Sequence, residues 1–174
     1  MATEPSERSF AKGLDAVERR EFVEALVYFE ASMELAQRTG TTPPMKHLSY
    51  YGLCLAMAHG RVGEAIEICE GAVEAEFYNP DLYLNLGKVY LKSGDRSRAF
   101  LTLVRGLQLN PRHSGLVRLI RRLGVRRRPA LRFLGRNHPV NRMLGRLLAG
   151  PVARQENGFR SGSRSAMPSH LPSK

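Results

Sequence analysis

The chain has 174 residues, of which 43% are hydrophobic and 25% are charged. This length predicts one domain that is large enough to form a hydrophobic core, together with a tail. No run of residues approaches the roughly 18 consecutive apolar residues of a membrane span, so the sequence excludes that class of protein.

The charge is distributed unevenly along the chain. Of the 27 Lys and Arg residues, 15 lie in residues 112–174, together with one of the 16 acidic residues. This segment therefore carries a net charge of +14, whereas residues 1–111 carry −3. The overall value of +11 hides two parts of opposite electrostatic character.

The two cysteines predict neither a metal site nor a disulfide. Cys54 and Cys69 lack the nearby His pair of a zinc pattern, so we interpret both as small buried residues on facing helices.

Residues 1–7 do not show the basic-then-apolar order of a secretory signal. We therefore expect a soluble, cytoplasmic protein of a reducing compartment, with a membrane-peripheral location as the alternative.

The first predicted unit is a helical hairpin over residues 9–38, which follows a flexible N-terminus over residues 1–8. Its first helix should begin at about Ser9. Its second helix carries Ala25 and Phe29 on one apolar face, because these residues are four positions apart.

A linker of Thr, Gly and Pro residues over 39–44 separates this unit from a second predicted hairpin over 45–78. The turn of the second hairpin is predicted at Gly60 and Arg61. Ala65 then occupies the position in the second helix that Ala25 occupies in the first unit.

The third predicted hairpin covers residues 79–112 and has the clearest helix signals. Asn79 is a good N-cap and Pro80 a good first helical residue. Gly87 lacks a Cβ atom, which would let a neighbouring helix approach closely. Asp95 is predicted to cap the second helix.

The remaining residues divide into three predicted segments. Residues 113–124 form a capping helix, which Ser114 is expected to start. Residues 125–151 form an Arg-rich amphipathic extension that contains two internal prolines. Residues 152–174 are rich in Ser, Arg, Gly and Pro and are expected to be disordered.

The third hairpin resembles a tetratricopeptide repeat. The positions that carry the resemblance are Tyr83, Leu86, Gly87, Tyr90, Ala99, Leu103 and Pro111. The interval from Ala65 to Ala99 is 34 residues, which equals the period of this family, and the interval from Ala25 to Ala65 is 40 residues, longer by about the length of the linker. The resemblance implies an all-α, right-handed solenoid of about three helical hairpins, closed by a capping helix and followed by a basic C-terminal extension.

The resemblance also implies a function. The first helix of each repeat lines a concave groove in this family, so we expect a non-enzymatic adaptor that binds a peptide or helix of a partner protein. Lysines at one end of the groove favour a partner with an acidic or carboxylate-terminated segment. The candidate groove residues are Phe10, Leu14, Val17, Tyr50, Met57, Leu84, Asn85, Lys88 and Lys92.

Alternative interpretations of these residues stay open at this point. Phe10, Leu14 and Tyr50 fit core positions equally well, and the two lysines fit an ordinary solvated surface.

The Arg-rich extension supplies a second class of function, which is binding to an anionic membrane surface. The candidate contacts are Arg126, Arg127, Arg128, Arg132, Arg136, Arg142 and Arg146. Nucleic acid is a weaker possibility, because no motif that reads RNA or DNA accompanies the charge. The extension could also be a solubilising tail, or its apolar side over 131–148 could cover the groove until a partner competes.

The sequence does not favour an enzyme. The five histidines are scattered, and no nucleophile motif, phosphate-binding loop or metal-ligand pair accompanies them. We therefore expect no catalytic residue, no metal and no cofactor.

Overall fold

A computed structural model describes residues 5–124, which form seven α-helices and contain no strand. The helices pair as three hairpins, and contacts of α2 with α3 and of α3 and α4 with α5 join neighbouring hairpins. The predicted all-α solenoid of three hairpins closed by a further helix is therefore confirmed. The helices are α1 (Pro5–Arg19), α2 (Phe22–Arg38), α3 (Met45–His59), α4 (Val62–Ala75), α5 (Pro80–Lys92), α6 (Arg96–Leu109) and α7 (Ser114–Arg122).

The first helix begins within the segment that the sequence predicts to be flexible. The Ser6 hydroxyl donates a hydrogen bond to the Ser32 carbonyl oxygen at 2.9 Å, and the Ser32 hydroxyl donates to the Ser6 carbonyl oxygen at 2.9 Å. This reciprocal pair is buried and holds the first turn of α1 against α2. The prediction of a flexible N-terminus is therefore wrong for residues 5–8, because a contact between distant residues orders a locally polar segment.

Small residues allow the two helices of each hairpin to pack closely. Ala25, Ala65 and Ala99 are each fully buried in the second helix of their hairpin. A Cβ atom added to Gly87 would lie 2.5 Å from Leu103 Cδ2, so any larger residue there would force Leu103 to shift. Both observations confirm the roles predicted for these positions.

At the N-terminal ends of α5, α6 and α7, a side chain accepts a hydrogen bond from a backbone amide that has no partner within the helix. Asn79 accepts a hydrogen bond from the Asp81 amide at 3.1 Å, and Asp95 accepts one from the Arg98 amide at 2.8 Å, as predicted. The residue that caps α7 is His113, whose Nδ1 accepts from the Leu116 amide at 3.3 Å. The prediction of Ser114 as the cap is therefore wrong by one position.

The core consists of three clusters that follow the order of the hairpins. Cys54 and Cys69 are buried and unpaired in two of these clusters, which confirms their interpretation as core residues. Burial raises the pKa of each thiol to about 12, so both are unreactive at neutral pH.

Residues 1–4 and 125–174 lie outside the described residues. The predicted Arg-rich extension, the predicted tail and the seven candidate arginines from Arg126 to Arg146 belong to this part of the chain.

Candidate functional site

The first helices of the three hairpins are neighbours in the stack: Phe10 of α1 contacts the rings of His47 and Tyr50 of α3, and α3 packs on α5. We call the accessible predicted side chains of these three helices the first-helix face. Side chains from each helix remain accessible on it and mix apolar with basic character. Lys92 is exposed, and the others are partly exposed: Leu14, Val17, Tyr50, Met57 and Lys88.

Three of the predicted groove residues lie in the core. Phe10 is 6% exposed and stacks on the His47 ring, with the ring centroids 3.9 Å apart. Leu84 packs in the cluster beneath α7, and Asn85 is completely buried. These three side chains therefore cannot contact a ligand directly, because neighbouring helices cover the positions that helical periodicity alone would leave open.

Asn85 lies between two of the first helices, below the surface. Its Nδ2 donates a hydrogen bond to Ser49 Oγ on α3 at 3.3 Å, and its Oδ1 has no hydrogen-bond partner among residues 5–124. The Ser49 carbonyl oxygen in turn accepts a weak hydrogen bond from the Cys69 thiol. Asn85 therefore links α3 to α5 beneath the first-helix face.

Asp81 is the centre of a polar cluster at the N-terminal ends of the first helices. Its Oδ2 lies 3.3 Å from Lys46 Nζ on α3, and its Oδ1 lies 2.9 Å from His113 Nε2, immediately before α7. Burial would raise the pKa of the Asp81 carboxyl, but the hydrogen bond with His113 and the nearby Lys46 ammonium together hold it below its ordinary value. The carboxylate thus connects three successive structural units.

Two side chains of the first-helix face, Tyr50 and Lys88, are close enough to Asp81 for its negative charge to affect their pKa values. Burial, reinforced by the Asp81 carboxylate, raises the pKa of the Tyr50 hydroxyl to about 12, so this group remains a neutral hydrogen-bond donor. Burial lowers the pKa of the Lys88 ammonium, and Asp81 opposes that shift. Lys88 is therefore partly desolvated near a carboxylate that other groups already neutralise.

The sequence did not indicate Lys46, Asp81 and His113 as members of one cluster. His113 and Asp81 are 32 positions apart, which is close to one repeat period, so residues near the starts of successive first helices meet in space. Asp81 follows a helix start, where an acidic residue is expected for the helix dipole alone. The signal that could have found the cluster is the pairing of Asp81 with charged residues one repeat away.

Two further observations concern residues 5–124 only. No group of three or more His, Cys, Asp or Glu side chains in this part is placed to hold a metal ion. None of its helices combines the length and the apolar character that a bilayer crossing requires.

Antiparallel helix pairs that stack side by side and share an inner face define a helical-repeat protein. Residues 56–123 match the model of the tetratricopeptide repeat family, from the last turn of α3 to one residue beyond α7. Solved structures share this architecture at low sequence identity, among them those of two tetratricopeptide-repeat proteins. A comparison with curated protein sequences gave no match.

The first of these structures is YrrB, described as a tetratricopeptide-repeat protein with an unusual peptide-binding site. It is 21% identical, with a TM-score of 0.51, over 68% of this chain and 58% of YrrB, so the match spans little more than half of YrrB. The second is the tetratricopeptide-repeat domain of Arabidopsis OM64, which is 17% identical, with a TM-score of 0.54, over 70% of this chain and 95% of that domain. Residues 56–123 therefore carry the tetratricopeptide-repeat pattern, and the described residues share the fold of two tetratricopeptide-repeat proteins.

Proposed function

We propose that the first-helix face is a groove that holds a peptide or helix of a partner protein, so that the chain acts as a non-enzymatic adaptor. The observation that carries this proposal is the state of Lys88. Its ammonium group is partly desolvated and has no ion-pair partner among residues 5–124. A partly desolvated cation that forms no ion pair is unfavourable, and a carboxylate from a bound peptide would supply one.

The apolar residues of the same surface support the proposal. Leu14, Val17, Tyr50 and Met57 remain partly exposed after folding, and such residues give up water when a partner covers them. YrrB, which shares the fold, has a peptide-binding site. Together these features favour a partner segment that carries apolar side chains and at least one acidic or C-terminal carboxylate.

A selection of displayed peptides on the full-length chain tests the proposal. We expect the selected peptides to be enriched in acidic residues next to apolar ones. The change Lys88→Gln should weaken their binding by about tenfold or more, because it removes the central charge. Arg105→Gln, the same change of charge on the exposed side of α6, is the matched control and should leave the dissociation constant within about twofold.

Equal weakening by the two substitutions would contradict the proposal, because it would mean that binding follows overall charge. Thermal unfolding of both variants checks that the fold is intact. Lys88→Gln should not lower the unfolding temperature, since it removes a desolvated charge without opening a cavity.

The alternative function assigns binding of an anionic membrane or of nucleic acid to the arginines between Arg126 and Arg146, outside the described residues. The dependence of binding on salt concentration distinguishes the two functions. Binding to phosphate groups weakens steeply as the salt concentration rises, whereas contact with an apolar groove depends on salt only weakly.

A further inference from the structure

A cavity at the C-terminal end of the solenoid lies away from the charged cluster of the first-helix face. Its volume is about 340 Å³, which is at the lower end of the range for ligand pockets. It lies between the turn that joins α5 to α6 and the last turn of α7. Its lining residues are Leu91, Gly94, Arg96, Leu119, Arg122 and Leu123.

The floor of this cavity, which we call the end pocket, is apolar. Leu119 and Leu123 pack on one side against the core cluster of α6 and α7, and Leu91 packs against the preceding cluster. All three leucines remain partly exposed. Their packing fixes the floor, so the pocket is largely preformed and an apolar side chain could enter it without rearranging the helices.

The end pocket is lined by two arginines and no acidic residue. Residues 96–124, which supply four of its six lining residues, contain seven arginines and no acidic residue. Arg96 Nη2 donates a hydrogen bond to the Leu123 carbonyl oxygen at 2.9 Å, which holds this guanidinium at the rim. Arg122 is exposed and has no ion-pair partner among residues 5–124. The nearest acidic residue in sequence, Asp95, is already paired with Arg98 at 2.5 Å.

We propose that the end pocket is a second docking site, which binds an acidic segment of a partner protein. One leucine-sized or phenylalanine-sized side chain of that segment enters the pocket. Carboxylates on either side of it pair with Arg96 and Arg122. This site is separate from the groove around Lys88 and does not depend on the function proposed for that groove.

Charge decides between a partner and the chain's own C-terminal residues. Residues 125–174 contain eleven basic residues and one acidic residue, and three arginines follow directly at 126–128. A segment of this charge is repelled by the arginines around the pocket. Nucleic acid fits the charge but has no aliphatic side chain for the leucine floor. An acidic peptide satisfies both the charge and the shape.

Fluorescence anisotropy with the full-length chain tests this site. The probe is a labelled acidic peptide with a central pair of leucines, and its control has two serines at those positions. We expect the leucine peptide to bind about tenfold more tightly or better. Leu123→Ala should abolish this difference between the two peptides. Arg122→Gln should weaken both peptides severalfold, whereas the matched change Arg105→Gln should not.

Each other occupant gives a distinct result that would overturn the proposal. Equal binding of the two peptides, or equal effects of Arg122→Gln and Arg105→Gln, would indicate diffuse charge attraction. Weakening by Lys88→Gln would place the peptide in the groove. A severalfold gain in affinity from Phe133→Ala would mean that the chain's own C-terminal segment fills the pocket. Loss of binding to a DNA duplex or to phosphatidylglycerol vesicles in Leu123→Ala would assign the pocket to those partners.

Discussion

At the scale of single residues, His47 connects the first two hairpins, because it lies on α3 and contacts residues of both α1 and α2. Ser32 uses its hydroxyl proton to donate to Ser6, so its Oγ accepts a hydrogen bond from His47 Nδ1 at 2.9 Å. The imidazole also stacks on Phe10, and its Nε2 lies 3.6 Å from Glu7 Oε1. One side chain of α3 thus contacts both helices of the preceding hairpin.

The environment of His47 predicts how stability depends on pH. Burial lowers its pKa from the ordinary value of 6.5, the nearby Lys46 adds to this shift, and Glu7 opposes it. The unfolded chain therefore binds the proton more readily than the folded chain. The stability that the neutral imidazole provides is complete above about pH 6.5 and is lost as the pH falls through the lower, folded pKa.

We expect His47 to make the free energy of unfolding decrease between pH 7 and pH 5, with a slope of at most about 1.4 kcal/mol per pH unit. His47→Asn preserves a donor to Ser32 but cannot titrate in this range. Urea unfolding of both proteins at several pH values measures the difference. Parallel curves for the two proteins would show that His47 is not the titrating group.

At the scale of helices, Gly87 and Gly71 both lie inside a helix but differ in the space that surrounds them. Gly87 faces Leu103 across the third hairpin, with no space for a Cβ atom. Gly71 lies within α4, and an added Cβ atom would have no neighbour within 4 Å. The first glycine is required by packing, whereas the second only adds freedom to the unfolded chain.

Alanine substitution should separate these two roles. Gly87→Ala should lower the free energy of unfolding by about 1–3 kcal/mol, because the new methyl group overlaps Leu103. Gly71→Ala should raise it by roughly 0.5–1 kcal/mol through better helix propensity. Urea denaturation measures both values. A Gly87→Ala protein as stable as the parent would mean that the hairpin can open at no cost.

The helix starts of the third hairpin could be predicted from the sequence because their signals are local. Asn79, Asp95 and the buried alanines act within a few residues or at a fixed repeat position. The start of α1 and the cap of α7 were not readable, since each depends on a residue far away in the chain. Ser6 is ordered by Ser32, and His113 is oriented by Asp81.

At the scale of the whole molecule, stability should behave as a sum over neighbouring units, because each hairpin packs mainly on the next one. Ile120 is 1% exposed in the cluster that joins α6 and α7. Ile120→Ala should cost about 2–5 kcal/mol of local stability. Hydrogen exchange should speed up in α6 and α7 and stay nearly unchanged in α1 and α2.

Phe29→Leu, at the opposite end of the stack, is the control and should give the reverse pattern. A uniform increase in exchange along residues 5–124 for both variants would show that the three hairpins unfold as a single cooperative unit instead.

The candidate site was less readable than the fold. Helical periodicity assigns a residue to one side of its helix, but it does not show how deeply the neighbouring helices cover that side. Lys88 and Met57 therefore remained accessible, whereas Phe10 and Asn85 became buried. The end pocket arises where three chain segments meet, so no single stretch of sequence indicates it.

The position of Asp81 has a consequence for the shape of the proposed groove. Its carboxylate bridges Lys46 on the preceding hairpin and His113 before the closing helix, so one side chain sets the distance between successive units. The curvature of a stacked array follows from such small distances, repeated from unit to unit. In the groove that we propose, Asp81 would therefore act as a spacer between successive units and would influence the width available to a partner.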